Sequence, residues 1–234
     1  MRDSKRTAKE QNIILAAEKV FAEMGFRNAK MEDVASLAGI TKVTLYSYFK
    51  SKENLYMAIT YKALMLLLDQ YYKTIEAYKG KPGIDSTMAL SEIFMSFCRN
   101  NYLYSEALLD YFSMVRSTSL GKDQTKLTEA LKESIYYNKL QDVHNIVFKL
   151  TTKEIERGQK DGSIVSTLDP MLMTLNGWSA SIGYIKLLTA NGDVSSPLFN
   201  VDLQDLKQLK LDMNRSMLTS NDFHINRNKH ENIE

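Results

Sequence analysis

The 234-residue chain has little cysteine, proline or histidine: one Cys, three Pro and three His. A lone Cys98 excludes an intramolecular disulfide framework and fits a reducing compartment. Phe94 and Phe97 beside it place it on an apolar helical face, where a thiol packs as a small hydrophobe instead of reacting. His144, His224 and His230 show no metal-ligand spacing, and the sequence holds no Gly-rich phosphate loop and no nucleophile elbow. Neither an enzyme activity, nor a cofactor, nor a bound metal is therefore expected. No apolar run approaches the roughly 18 residues needed to cross a bilayer. The N-terminal MRDSKRTAKEQ also lacks the apolar middle of a signal peptide, so a cytoplasmic protein with no membrane partner is expected.

Pro82, Pro170 and Pro197 all fall at interruptions, and none breaks a periodic segment. Between those breaks the apolar residues recur at steps of three and four with little alternation, which predicts an all-α protein of nine or ten helices. The first carries Ile13, Ala17, Val20 and Met24 on one face and ends at Gly25. A short helix follows over residues 31–38. Gly39 turns the chain into Ile40, and Thr41 caps the next helix. Two short helices joined in this way make a helix-turn-helix. Longer helices are predicted over 52–78 behind Ser51, and over 84–101, 103–117 and 123–158. Two more are predicted over 170–190 behind Asp169-Pro170 and over 201–218.

The stretch ITKVTLYSYFKSKENL, residues 40–55, asks for more than packing. Leu45 and Phe49 suit a buried face, but Thr44, Tyr46, Tyr48 and three lysines do not, so the opposite face is wet or meets something polar and negative. Residues 1–56 hold ten Lys/Arg against seven Asp/Glu, and the remainder holds twenty against twenty-one. The basic excess sits with this motif but is too small to identify nucleic-acid binding alone. A bare helix-turn-helix also occurs as a purely structural unit.

The surrounding spacing adds to it. Gly25-Phe26, Asp33-Val34-Ala35, Ala38-Gly39-Ile40, Thr41-Lys42, Thr44-Leu45-Tyr46, Phe49, Lys52 and Leu55 resemble the DNA-binding domain of TetR-family (TetR/AcrR) transcriptional regulators. The resemblance implies a three-helix DNA-binding domain over 1–56. It implies a helical effector-binding and dimerisation domain over 57–220, here followed by a polar tail over 221–234. It further implies that Thr41, Lys42, Val43 and Thr44 meet the major groove of a near-palindromic double-stranded operator. Tyr46, Tyr48 and Lys52 would hold phosphates. The family's usual hydroxyl before the second helix is missing at Ala29-Lys30, so Lys30 would reach a phosphate by charge and Asn28 would cap. Lys5, Arg6 and Lys9 form either a basic arm or a merely solvated terminus.

In the larger part, Gly177, Ala180, Ser181 and Gly183 make a small-residue strip that permits close helix approach, within one subunit or between two. The last helix adds Leu206, Leu209 and Met213, and the resemblance implies a homodimer through these two helices. Phe94, Phe97, Tyr111, Phe112 and Trp178, with Met88, Met95 and Met114, supply walls for a pocket that suits an apolar or aromatic small-molecule effector. The function expected is a ligand-responsive repressor. An activator, a sequence-tolerant architectural DNA-binding protein, or a small-molecule-binding or enzymatic helical domain with a structural helix-turn-helix remain as alternatives.

Overall fold

The computed structural model describes residues 2–117, 129–191 and 198–224. These form eleven helices: α1 (Arg2–Asn28), α2 (Met31–Leu37), α3 (Lys42–Tyr48), α4 (Lys52–Ala77), α5 (Gly83–Asn100), α6 (Tyr102–Ser117), α7 (Glu129–Lys132), α8 (Ile135–Val143), α9 (Ile146–Asp161), α10 (Pro170–Asn191) and α11 (Leu203–Thr219). No helix among the described residues is long and apolar enough to cross a membrane. Residues 225–234, most of the polar tail, lie outside the described residues, as does the side chain of Met114.

Most boundaries follow from caps that the sequence displays. The Thr41 hydroxyl accepts from Thr44 N–H at 3.2 Å, Ser51 accepts from Asn54 N–H at 3.1 Å, and Asp169 accepts from Leu172 N–H at 2.8 Å. Gly25 takes φ 72°, and the helix kinks there and runs on to Asn28. Two differences have clear causes. The single helix expected over 123–158 is instead α7, α8 and α9 within its described part, because Ser134 leaves helical geometry to cap α8 by accepting from Tyr137 N–H at 3.2 Å. Its hydroxyl meanwhile donates to Asn54 Oδ1 at 2.9 Å, a buried bond that an uninterrupted helix would forgo. At the start of α2, Asn28 donates to Met24 O and leaves the cap to Asp33, whose carboxylate reaches back to Lys30 N–H at 3.0 Å.

The chain divides into two compact, interleaved units. One comprises residues 1–67 and 100–144, the other 68–99 and 145–234. In the first unit, α1 to α3 pack around Ile13, Ala17, Phe21, Val34 and Leu45, all essentially buried. Polar ties join this head to α6 and α8: Lys62 and Tyr104 both donate to Glu18 at 2.8 Å, Tyr136 donates to Glu10 at 2.8 Å, and Tyr56 donates to Asp110 at 3.1 Å. In the second unit α5 begins against α9 with no room to spare. A Cβ at Gly83 would stand 2.2 Å from Gly158 N, and Gly83 N–H donates to the Asp161 carboxylate at 2.8 Å.

Candidate nucleic-acid interface and effector pocket

The helix-turn-helix leaves one side of α3 bare. Leu45 and Phe49 are 0% and 1% exposed and anchor it, whereas Val43 is 82% exposed. Thr41, Lys42, Tyr46 and Ser47 are exposed as well, with Thr44 and Tyr48 half-buried. Gly39 makes the turn possible at φ 65°, in the left-handed region that a side chain disfavours.

Each group on this face has a measurable environment. The hydroxyls of Thr41 and Thr44 bond each other at 2.9 Å, so Thr44 is drawn into the cap. Lys42 pairs with Glu32 of α2, which holds the Glu32 carboxyl below its usual pKa and raises that of the lysine, both through their mutual hydrogen bond. This pair is fully exposed and readily exchanged for another anion. The Lys42 ammonium also lies 5.8 Å from the centre of the Tyr46 ring, and the Arg6 guanidinium lies 5.8 Å from that of Tyr48, which ties the N-terminal basic segment to α3. Lys30 is exposed, and Lys50, passed over in the sequence, pairs with Glu133.

Lys52 turns its ammonium inward in this structure. Its ammonium donates to Phe26 O at 2.6 Å, Ala29 O at 3.0 Å and Arg27 O at 3.1 Å, and it stands 4.6 Å from the centre of the Phe26 ring. An ammonium has three donors, and all three are engaged by the carbonyls that end α1. Lys52 thus fixes the angle at which α1 meets α4.

The second unit holds a narrow pocket of about 50 Å³, partly open to solvent, between α4, α5, α9, α10 and α11. Phe94 and Trp178 line it, and Phe148 meets the Trp178 ring edge to face at 5.3 Å. Phe97 is buried elsewhere on α5. Tyr111 and Phe112 belong to the first unit, where Tyr111 packs on Tyr137 and His144 and accepts from Gln141 at 3.1 Å. Sequence reasoning missed Tyr71, Ser91, Thr151 and Asn214 in the lining, because hydroxyls and amides on helices carry no pocket signature.

The small-residue strip of α10 splits by direction. Ala180 and Gly183 are exposed, Gly177 lies in the wall next to Asn214, and Ser181 is 2% exposed and turned inward, donating to Gly177 O at 2.8 Å. Leu172, Leu175 and Leu187 of α10 and Leu209 and Met213 of α11 are between 39% and 65% exposed, with Leu206 half-buried. So much apolar surface on two neighbouring helices is unusual for a free face.

Residues 13–59 match the model of the bacterial regulatory proteins of the tetR family. Over 73 residues the chain is 37% identical to the HTH-type transcriptional regulator RutR of Escherichia coli strain K12, a stretch that covers 31% of this chain and 32% of that protein. The chain thus spans about a third of the length of this curated relative. It is also 28% identical over 167 residues to the HTH-type transcriptional repressor KstR2 of Rhodococcus jostii, covering 71% of this chain and 72% of that one. Among solved structures, the regulator FadR of Bacillus subtilis in complex with stearoyl-CoA shares the fold with a TM-score of 0.59 at 18% identity, over 88% of this chain and 98% of that one. The motif spacing, the bare face of α3 and the family match agree that residues 13–59 form a domain of the tetR family of bacterial regulatory proteins, and the chain as a whole shares the fold of such regulators.

Proposed function

We propose that this protein is a transcription regulator without enzyme activity, acting in the cytoplasm. In this reading residues 1–56 form a head that reads duplex DNA, residues 57–220 bind an effector and dimerise, and 221–234 is a tail. The observation that carries it is the face of α3, where Thr41, Lys42, Val43 and Tyr46 stand exposed on a helix whose other side is sealed by Leu45 and Phe49. Lys42 and Val43 meet base edges in the major groove, and Val43 suits a thymine methyl. Thr41 and Thr44 hold the helix start, Tyr46, Tyr48 and Lys30 reach phosphates, and Lys52 orients the head without touching DNA.

Two copies join through Ala180, Gly183, Leu206, Leu209 and Met213, which gives the exposed apolar face of α10 and α11 a partner. The effector occupies the pocket lined by Phe94 and Trp178, and its arrival weakens DNA binding. The repressor name of KstR2 and the stearoyl-CoA complex of FadR support a ligand-responsive repressor. The test is selection of duplexes from a random pool. A near-palindromic site with half-sites about one helical turn (34–36 Å) apart is expected. Equal binding of scrambled duplexes would make the protein architectural, and no DNA affinity at low salt would refute the reading.

A further inference from the structure

A lysine stands where α11 should be apolar. Lys210 is 9% exposed, on the same buried side as Leu203, Leu211, Met217 and Leu218. Its ammonium donates to Ser91 Oγ of α5 at 2.9 Å, and no carboxylate among the described residues pairs with it. Asp222 lies along the outer groove that Lys210 also borders, but its carboxylate takes the Ser220 hydroxyl at 2.7 Å. Burial pushes the ammonium pKa down to about 8, and desolvation is the cause. A buried cation with a single neutral acceptor is costly to keep, and it gains most from an anion.

Ser91 brings this charge to the pocket. Its hydroxyl lines the cavity between α4, α5, α9, α10 and α11. The neighbouring hydroxyls of Thr87, Thr151, Thr174 and Ser181 give their protons to carbonyls four residues back in their own helices. Ser91 makes no such bond among the described residues. It accepts from Lys210, which leaves its proton to donate and polarises it. The rest of the lining is aromatic, aliphatic, thioether, hydroxyl or the Asn214 amide, with no acidic side chain to repel an anion.

We infer that Ser91 and Lys210 form the anion-reading end of this pocket, and that its effector is an apolar molecule carrying one ionised carboxylate. The carboxylate accepts from Ser91, sits within reach of the Lys210 charge, and supplies the negative partner that no described carboxylate gives Lys210. The apolar body lies along Phe94 and Trp178. This inference rests on the effector pocket proposed above and adds the chemical class of the ligand.

Calorimetry with two pairs of probes tests it: 2-naphthoate beside 2-naphthamide, and decanoate beside decanamide. Each pair differs in charge and hardly in size. At least one acid should bind the wild type about tenfold or more tighter than its amide, the effect of a charge-assisted hydrogen bond in a dry site. Lys210→Met, which keeps the stem length, should bring acid and amide within about twofold of each other while leaving amide affinity unchanged. Ser91→Ala should shrink the preference too, with folding of both variants checked by thermal melting. Equal affinities in the wild type, a preference that survives Lys210→Met, or no binding of any probe would each overturn the inference. DNA release, read separately by gel shift on the selected duplex, distinguishes the two claims. Acid-selective binding without release refutes the effector role and leaves the acid site standing, whereas release by acid and amide alike does the reverse.

Discussion

Replacing Lys52 with methionine separates a structural lysine from a DNA-contacting one. The substitution keeps most of the apolar stem and removes the ammonium that meets Phe26 O, Ala29 O and Arg27 O. Hydrogen bonds from a charged donor contribute about 1.5–3 kcal/mol each when buried. Two of these three are part-buried and one is exposed, so water restores much of the loss. Adding roughly 0.5–1 kcal/mol for the lost approach to the Phe26 ring, and discounting for solvent, gives a cost of about 2–3 kcal/mol. In thermal melting this is a drop of roughly 4–12 °C for a chain of this size. Operator affinity should also fall, because α1 and α4 lose their fixed angle. The slope of log affinity against log salt should stay the same, since no phosphate contact is removed. A true phosphate lysine would lower that slope by about 0.9. A smaller slope with an unchanged melting temperature would refute the assignment and restore Lys52 to the DNA.

Four further outcomes follow from the geometry. Val43→Ala should leave stability unchanged, because the side chain is 82% exposed, and should alter base preference at one operator position in a duplex selection. Gly183→Leu and Ala180→Leu should dissociate a dimer in sedimentation without lowering the melting temperature of the monomer. A Cβ at Gly183 meets nothing within 4 Å, whereas Gly177→Leu would damage the subunit itself, since a Cβ there lies 3.3 Å from Asn214 Oδ1. Gly83→Ala should destabilise the second unit strongly in urea unfolding, because the new methyl meets the Gly158 backbone at 2.2 Å and neither helix can yield. Lys210→Met should stabilise the protein at pH 7 by roughly 2–4 kcal/mol, the equivalent of a fall from 10.5 to about 8. The depressed pKa means that the unfolded chain binds more protons between these values. Wild-type stability should therefore rise from pH 8 to 10.5 and be lost again as pH falls through 8, while the variant lacks this component.

The helices and the exposed face of α3 were legible because they are local. Thr41, Ser51 and Asp169 cap within three residues, Gly39 needs only its own φ, and Leu45 and Phe49 share a face by spacing. What escaped depends on distant partners. Lys52 reads as a basic residue at a helix start, and only the fold brings the end of α1 to its ammonium. The break at Ser134 is held by Asn54, eighty positions earlier. Helix α11 is apolar on two sides, and periodicity picked out Leu206, Leu209, Met213 and Met217 as one face, of which the first three lie on the side that is largely exposed and Met217 is buried. The other side, with Leu203, Leu211 and Met217, contains Lys210, and the lysine hides that stripe from any apolar count.

The interleaving of the two units sets an order of events on the ribosome. The first unit is complete in sequence once residue 144 has emerged, since it needs only 1–67 and 100–144. By then residues 68–99 have been synthesised without any of the helices that cover them, and α5 presents Ile84, Met88, Leu90, Phe94 and Met95 with no α9, α10 or α11 to receive them. The nascent chain therefore passes through a stage with a finished head and an uncovered apolar helix, the kind of surface that chaperones hold. A premature stop between residues 145 and 200 would freeze that stage. Its product would carry the whole exposed face of α3 on a chain prone to aggregate, and quality control of the truncated chain would decide its abundance.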